Sequence, residues 1–101
     1  MRYEVLVQPT AEAEIEEAYL YLRETASPEA ADRWFTSFLD AVLTLEEMPT
    51  RCPIAPEDPF FSDELRHLLL RPYRVMFTVR PGRVHVLHIR HMARETLSDE
   101  G

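Results

Sequence analysis

Seven arginines, Arg66, Arg71, Arg74, Arg80, Arg83, Arg90 and Arg94, fall between residues 65 and 94 together with all four histidines, and that stretch holds no Asp or Glu. Guanidinium groups at this density suit phosphates and carboxylates, because each presents a planar fork of donors and keeps its charge. Two chemistries can use such a set. Metal-free RNA cleavage needs a base for the 2′-OH, an acid for the leaving 5′ oxygen and cations for the transition-state charge. Arg66, Arg74 and Arg90 would supply the charge, and His88 or His91 the proton transfer. His91 is the better placed, at a strand end beside Arg90 and Arg94. Binding of an acidic partner needs no catalytic set, and Arg66, Arg74, Arg90, His91 and Arg94 would then be contact residues. Arg stems also cover apolar surface, so the same stretch equally fits a solvated face. Cys52 is the single cysteine and has no His at ligand spacing, which leaves no thiolate cluster, metal site or other cofactor to expect.

The rest of the chain is acidic. Residues 1–64 carry 15 acids against 4 Arg, the last seven residues carry 3 acids, and Lys is absent, for a net charge of −7. A protein that works among dense nucleic-acid phosphates is usually basic, so this charge slows such an approach unless the Arg-rich part alone meets them. With 101 residues, 46% of them apolar, the chain is expected to form one domain over 1–101. No apolar run nears the roughly 20 residues of a membrane span, and the first residues show no signal-peptide core. A cytoplasmic protein without membrane contact is the expectation.

The elements that must position these residues follow from periodicity. Tyr3, Val5 and Val7 alternate with Glu4, Leu6 and Gln8, which predicts a strand over 2–8 ending at Pro9. Ala11, Ile15, Ala18, Tyr19, Leu22 and Ala26 then share a helical face opposite Glu12, Glu16, Glu17, Arg23 and Glu24, with Thr10 as the expected N-cap. Ser27-Pro28-Glu29 restarts a helix as cap, first-position proline and acid. Its stripe of Ala31, Trp34, Phe35, Phe38, Val42 and Leu45 should pack on the first helix and on a sheet. So short a link makes the pair an antiparallel hairpin. Residues 49–64, with four prolines, read as an irregular surface crossing pinned by Phe60 and Phe61. Strands are predicted over 65–70, 73–79 and 84–91. In the second of them Tyr73, Val75, Phe77 and Val79 face the core and Arg74, Met76, Thr78 and Arg80 face away. Pro81-Gly82 makes the last turn, and the final strand, apolar on both faces, should be central. The result is an α+β domain of order β-α-α-β-β-β, with a helical hairpin on one face of a mostly antiparallel, curved sheet.

Residues spread over nearly the whole chain carry a resemblance to a known family. They are Pro9-Thr10-Ala11 after the opening strand, Trp34-Phe35 with Leu45 and Pro49, and Arg66-His67-Leu68. Tyr73-Arg74-Val75-Met76-Phe77 and Val84 through His91 followed by Arg94 complete the set. In this order they resemble the RelE/ParE superfamily of type II toxin–antitoxin toxins. The resemblance implies a growth-inhibitory toxin, of the kind linked to plasmid stabilisation, held inactive by a cognate antitoxin as a homodimer or a toxin–antitoxin hetero-oligomer. Its target would be either DNA gyrase or, as an mRNA interferase, the ribosome and its mRNA. RelE-like nucleases often use lysines and a C-terminal aromatic; this chain has no Lys and no aromatic residue after His91. Gyrase inhibition of the ParE kind is therefore the favoured expectation. Ribosome-dependent cleavage using His91, Arg74 and Arg90, or a toxin fold without activity, are the alternatives.

Overall fold

The computed structural model describes residues 2–92. Strand β1 (Glu4–Val7) leads into helix α1 (Pro9–Thr25), and α2 (Pro28–Leu43) follows after a two-residue link. Strands β2 (Arg66–Leu70), β3 (Tyr73–Arg80) and β4 (Arg83–His91) close the domain. The sheet order is β1-β4-β3-β2. The β2–β3 and β3–β4 pairs are antiparallel, while β1 joins β4 in parallel across the helical crossover. Strand β4 is central, as its two apolar faces predict.

Local chemistry sets the element ends. The Ser27 Oγ accepts from the Ala30 N–H at 3.0 Å, and Pro28 occupies the first turn of α2. Helix α1 starts earlier than its periodicity suggests: Gln8 is the N-cap and Thr10 lies inside the helix. Proline at the first position needs no N–H partner, so Pro9 opens α1 rather than ending β1. Gly82 has a φ of 74°, the left-handed value that the β3–β4 turn requires.

The helices bury one face of the sheet. Phe38, Val42 and Leu45 pack with Val75, Phe77, Val84, Val86 and Ile89. Tyr73, only 6% exposed, stacks in a row of rings with Trp34 at 5.2 Å and His91 at 5.0 Å. Phe35 departs from expectation. It is not a core residue but sits at the hairpin surface, edge-on to Tyr19.

The other face is covered too. The Pro-rich crossing folds over it through short 3-10 turns at Pro49–Arg51 and Asp58–Phe60. Ala55, Leu65 and Met76 form a second, smaller core there, flanked by Phe61 and Leu87. Phe61 pins the crossing as expected, whereas Phe60 points to water at 66% exposure. We call residues 53–65 the strap.

Candidate functional site

Folding brings the acidic first part of the chain onto the basic second part. Arg74, on the strap side of β3, is 8% exposed and Glu57 of the strap 1%. The guanidinium donates through both terminal nitrogens to the Glu57 carboxylate, with Nη1 to Oε1 at 3.2 Å. The same Nη1 lies 3.0 Å from the His67 Nδ1 on β2. Burial pushes the Glu57 carboxyl up. The hydrogen bond from Arg74, its own backbone N–H and the charges of Arg74 and His67 outweigh that and hold it below the usual range. Burial and the Arg74 charge push His67 down, against the pull of Glu57.

Three further arginines of this stretch also have partners, Arg80 and Arg83 in exposed pairs. Arg66 donates to the Cys52 carbonyl at 2.6 Å and the Thr50 carbonyl at 3.2 Å, and pairs with Glu64 at 3.1 Å. Arg80 pairs with Asp63 of the strap, and Arg83 lies 3.6 Å from Glu4. Within the arginine-rich stretch that reads as an open anion site along the chain, Arg66, Arg74, Arg80 and Arg83 thus pair with acids of the strap and β1, whereas Arg71 and Arg90 have no carboxylate partner among the described residues. Cys52 is buried, and burial raises its thiol pKa, consistent with an inert packing residue.

Arg90 and His91 lie elsewhere. Past Val86 the parallel partner β1 has ended, and a bulge opposite Met76 and Phe77 shifts the register of β4. Glu14 of α1 closes this stretch: its Oε1 accepts the Ile89 N–H at 2.8 Å and its Oε2 lies 3.4 Å from the His88 Nδ1. Beside it Arg90 and His91 border a cleft of about 640 Å³ with Glu14, Glu17, Tyr21 and Tyr73. The Arg90 Nε is buried without an acceptor. Arg90 stands directly across the ladder from Arg74, yet Arg74 is sealed beneath the strap.

The residues nominated from the sequence are therefore divided. Arg66 and Arg74 lie under or against the strap, Arg90 and His91 lie at the cleft, and Arg94 falls outside the described residues. Sequence reasoning missed Glu57 and Glu14. Glu14 carried a signal, because it sits three residues after Ala11 and four before Ala18, on the buried face of α1. Glu57 carried none, since the strap has no periodicity. Among the described residues no three His, Cys, Asp or Glu side chains gather as a metal site, and no helix is long and apolar enough to cross a membrane.

Solved structures with the same fold include a chain of the chromosomal ParDE toxin–antitoxin system from P. aeruginosa, with a TM-score of 0.75 and 18% identity over 89% of this chain and 96% of that one. Another is a chain of the archaeal RelE–RelB complex from Pyrococcus horikoshii OT3, with a TM-score of 0.54 and 22% identity over 93% of this chain and 99% of that one. A search of curated protein sequences finds no significant match. The model of the ParE toxin of the type II toxin–antitoxin system parDE matches residues 5–96, nearly the whole chain. The fold, the helical hairpin on its sheet and this match agree: the chain belongs to the ParE toxin family of type II toxin–antitoxin systems.

Proposed function

We propose that the protein inhibits DNA gyrase in the manner of ParE toxins, acts by binding rather than by cutting RNA, and is neutralised by a cognate antitoxin. The observation that carries this is the burial of Arg74 on Glu57. A nuclease of this fold needs free guanidinium groups and a proton carrier around one phosphate. Here Arg74 is spent on Glu57 and Arg66 on the Thr50 and Cys52 carbonyls and Glu64, and the cleft that holds Arg90 and His91 also presents Glu14 and Glu17. Carboxylates lining that cleft repel a phosphodiester and suit a protein surface better. The match to a ParE model and the similarity to a ParDE chain support the same reading.

Induction of the protein in growing cells tests it. DNA synthesis should fall before protein synthesis, and mRNAs should remain intact at ribosomal A-site codons. Early arrest of translation with A-site cuts would reject the proposal in favour of mRNA cleavage.

A further inference from the structure

The strap is a loop closed on itself. At its base the Ala55 N–H donates to the Leu65 carbonyl at 2.8 Å, and Ile54 bridges to Arg66 on the sheet edge. Inside it the Asp58 carboxylate accepts the Leu65 N–H at 2.7 Å, and the Phe60 N–H donates to the Glu57 carbonyl at 2.9 Å. Residues 55–65 thus form a compact Ω-loop whose ends meet and whose backbone is satisfied partly from within. Such a loop can move off the sheet without breaking the β2–β3 ladder or the core between helices and sheet.

The ties between loop and sheet are uneven. The carboxylates of Asp63 and Glu64, paired with Arg80 and Arg66, are exposed, and pairs of that kind add little. Phe61 stands edge-on to the His88 ring at 6.2 Å and packs against the small core of Ala55, Leu65 and Met76. Among the described residues the buried tether is the Glu57 carboxylate, held by both terminal nitrogens of Arg74. A phosphate group makes the same forked contact with a guanidinium. The His67 Nδ1 lies 3.0 Å from the Arg74 Nη1. Arg90, the direct partner of Arg74 in the ladder, has no carboxylate partner among the described residues. Two guanidinium charges therefore meet a single buried carboxylate at this point of the sheet, an imbalance that favours an anion of higher valence.

We propose that the strap is a gate held shut by its own anion: Glu57 occupies a phosphate-binding position on Arg74, and residues 55–65 swing away when a phosphate group takes its place. Closed, the gate keeps Arg74 from phosphate, the state on which the binding reading above rests. Open, it uncovers Arg74, His67 and Met76 together and gives the chain a second, phosphate-held state. The tethered carboxylate acts at a high effective concentration, so the closed state prevails until a more highly charged anion competes. The gate itself does not depend on which target the toxin attacks.

Thiol labelling of the intact protein tests it. Met76→Cys puts a thiol beneath the loop, and Cys52, buried in the main core, is the internal control. The introduced thiol should react faster than Cys52, and Glu57→Gln in the same chain should raise its rate at least about tenfold. Pyrophosphate or a short single-stranded oligonucleotide, each at fixed ionic strength, should also raise the rate in the chain that keeps Glu57. Which of the two acts distinguishes free phosphate from a nucleic-acid backbone, and Arg74→Met should abolish the response. Equal rates at the two thiols would mean that the strap opens only with the whole domain, and would overturn the proposal. So would a rate that neither phosphate source alters, a result that decides the matter even where Glu57→Gln fails to fold. A supercoiling assay on the same preparation reports on the gyrase reading separately.

Discussion

The carboxylate of Glu57 and the guanidinium of Arg74, 17 residues apart in sequence, form an ion pair sealed between the strap and the sheet. This contact fixes the irregular crossing over the strap side of β3. It also removes Arg74 from the surface, where phosphates would otherwise meet it. Across the ladder Arg90 keeps a like charge opposite Arg74, an arrangement that costs stability unless a carboxylate is near.

Removing one member of this pair leaves a buried charge alone. Glu57→Gln should destabilise the domain by about 3–5 kcal/mol, whereas Glu57→Leu combined with Arg74→Met should recover most of that loss. Urea denaturation of the three proteins checks it. A double variant no more stable than Glu57→Gln would show that the loss does not come from a buried Arg74 charge left alone.

Stability should fall as the pH drops, in two steps. His67 is held below its ordinary range, so its contribution is complete above about pH 6.5 and is lost as the pH falls below that value. Glu57 is likewise lowered. Its contribution is complete above about pH 4.3 and is lost as the pH falls through the depressed folded value. In both cases the unfolded chain binds the proton more readily. Melting curves between pH 8 and pH 3 should show both limbs, with His67→Gln flattening only the upper one. Unchanged melting from pH 7 to pH 5 would contradict the placement of half-buried His67 beside Arg74.

The features legible in the sequence are those set by local rules. Ser27-Pro28 announces a capped helix start, Gly82 a left-handed turn, and the alternation in Tyr73–Arg80 a strand with one core face. Met76, on the side read as facing away, is fully buried, because the strap supplies a second layer that no period in residues 53–65 announces. The same gap hid Glu57. A charge count along the chain separates acids from arginines, but the fold pairs Arg66, Arg74, Arg80 and Arg83 with acids from the first part of the chain, so most of the apparent anion site is a property of the sequence order and not of the surface.

Two phenylalanines of α2 test the helix-on-sheet packing. Phe38 is 2% exposed beneath the hairpin, and Phe38→Ala should cost about 3–5 kcal/mol. Phe35→Ala, at the hairpin surface, should cost well under half of that. Equal losses in thermal denaturation would contradict the different burial of the two rings.

Glu14 holds the bulged part of β4 from the helix side. Glu14→Ala should cost about 1–2 kcal/mol through the lost charged hydrogen bond to the Ile89 N–H. Exchange at the Ile89 amide should accelerate while Val75 and Phe77 stay protected. If Arg90 and His91 contact the target, toxicity should fall with it. Unaltered exchange at Ile89 would show that the carboxylate is not its acceptor.

The central claim, a gyrase-directed toxin that acts by binding, is tested most directly by adding the purified protein to gyrase, relaxed plasmid and ATP with no ribosome present. Supercoiling should be blocked or cleaved DNA trapped, in proportion to toxin, and His91→Ala should leave at least part of that effect because no proton transfer is involved. Full supercoiling at saturating toxin, from a preparation that cuts mRNA on ribosomes, would contradict the account.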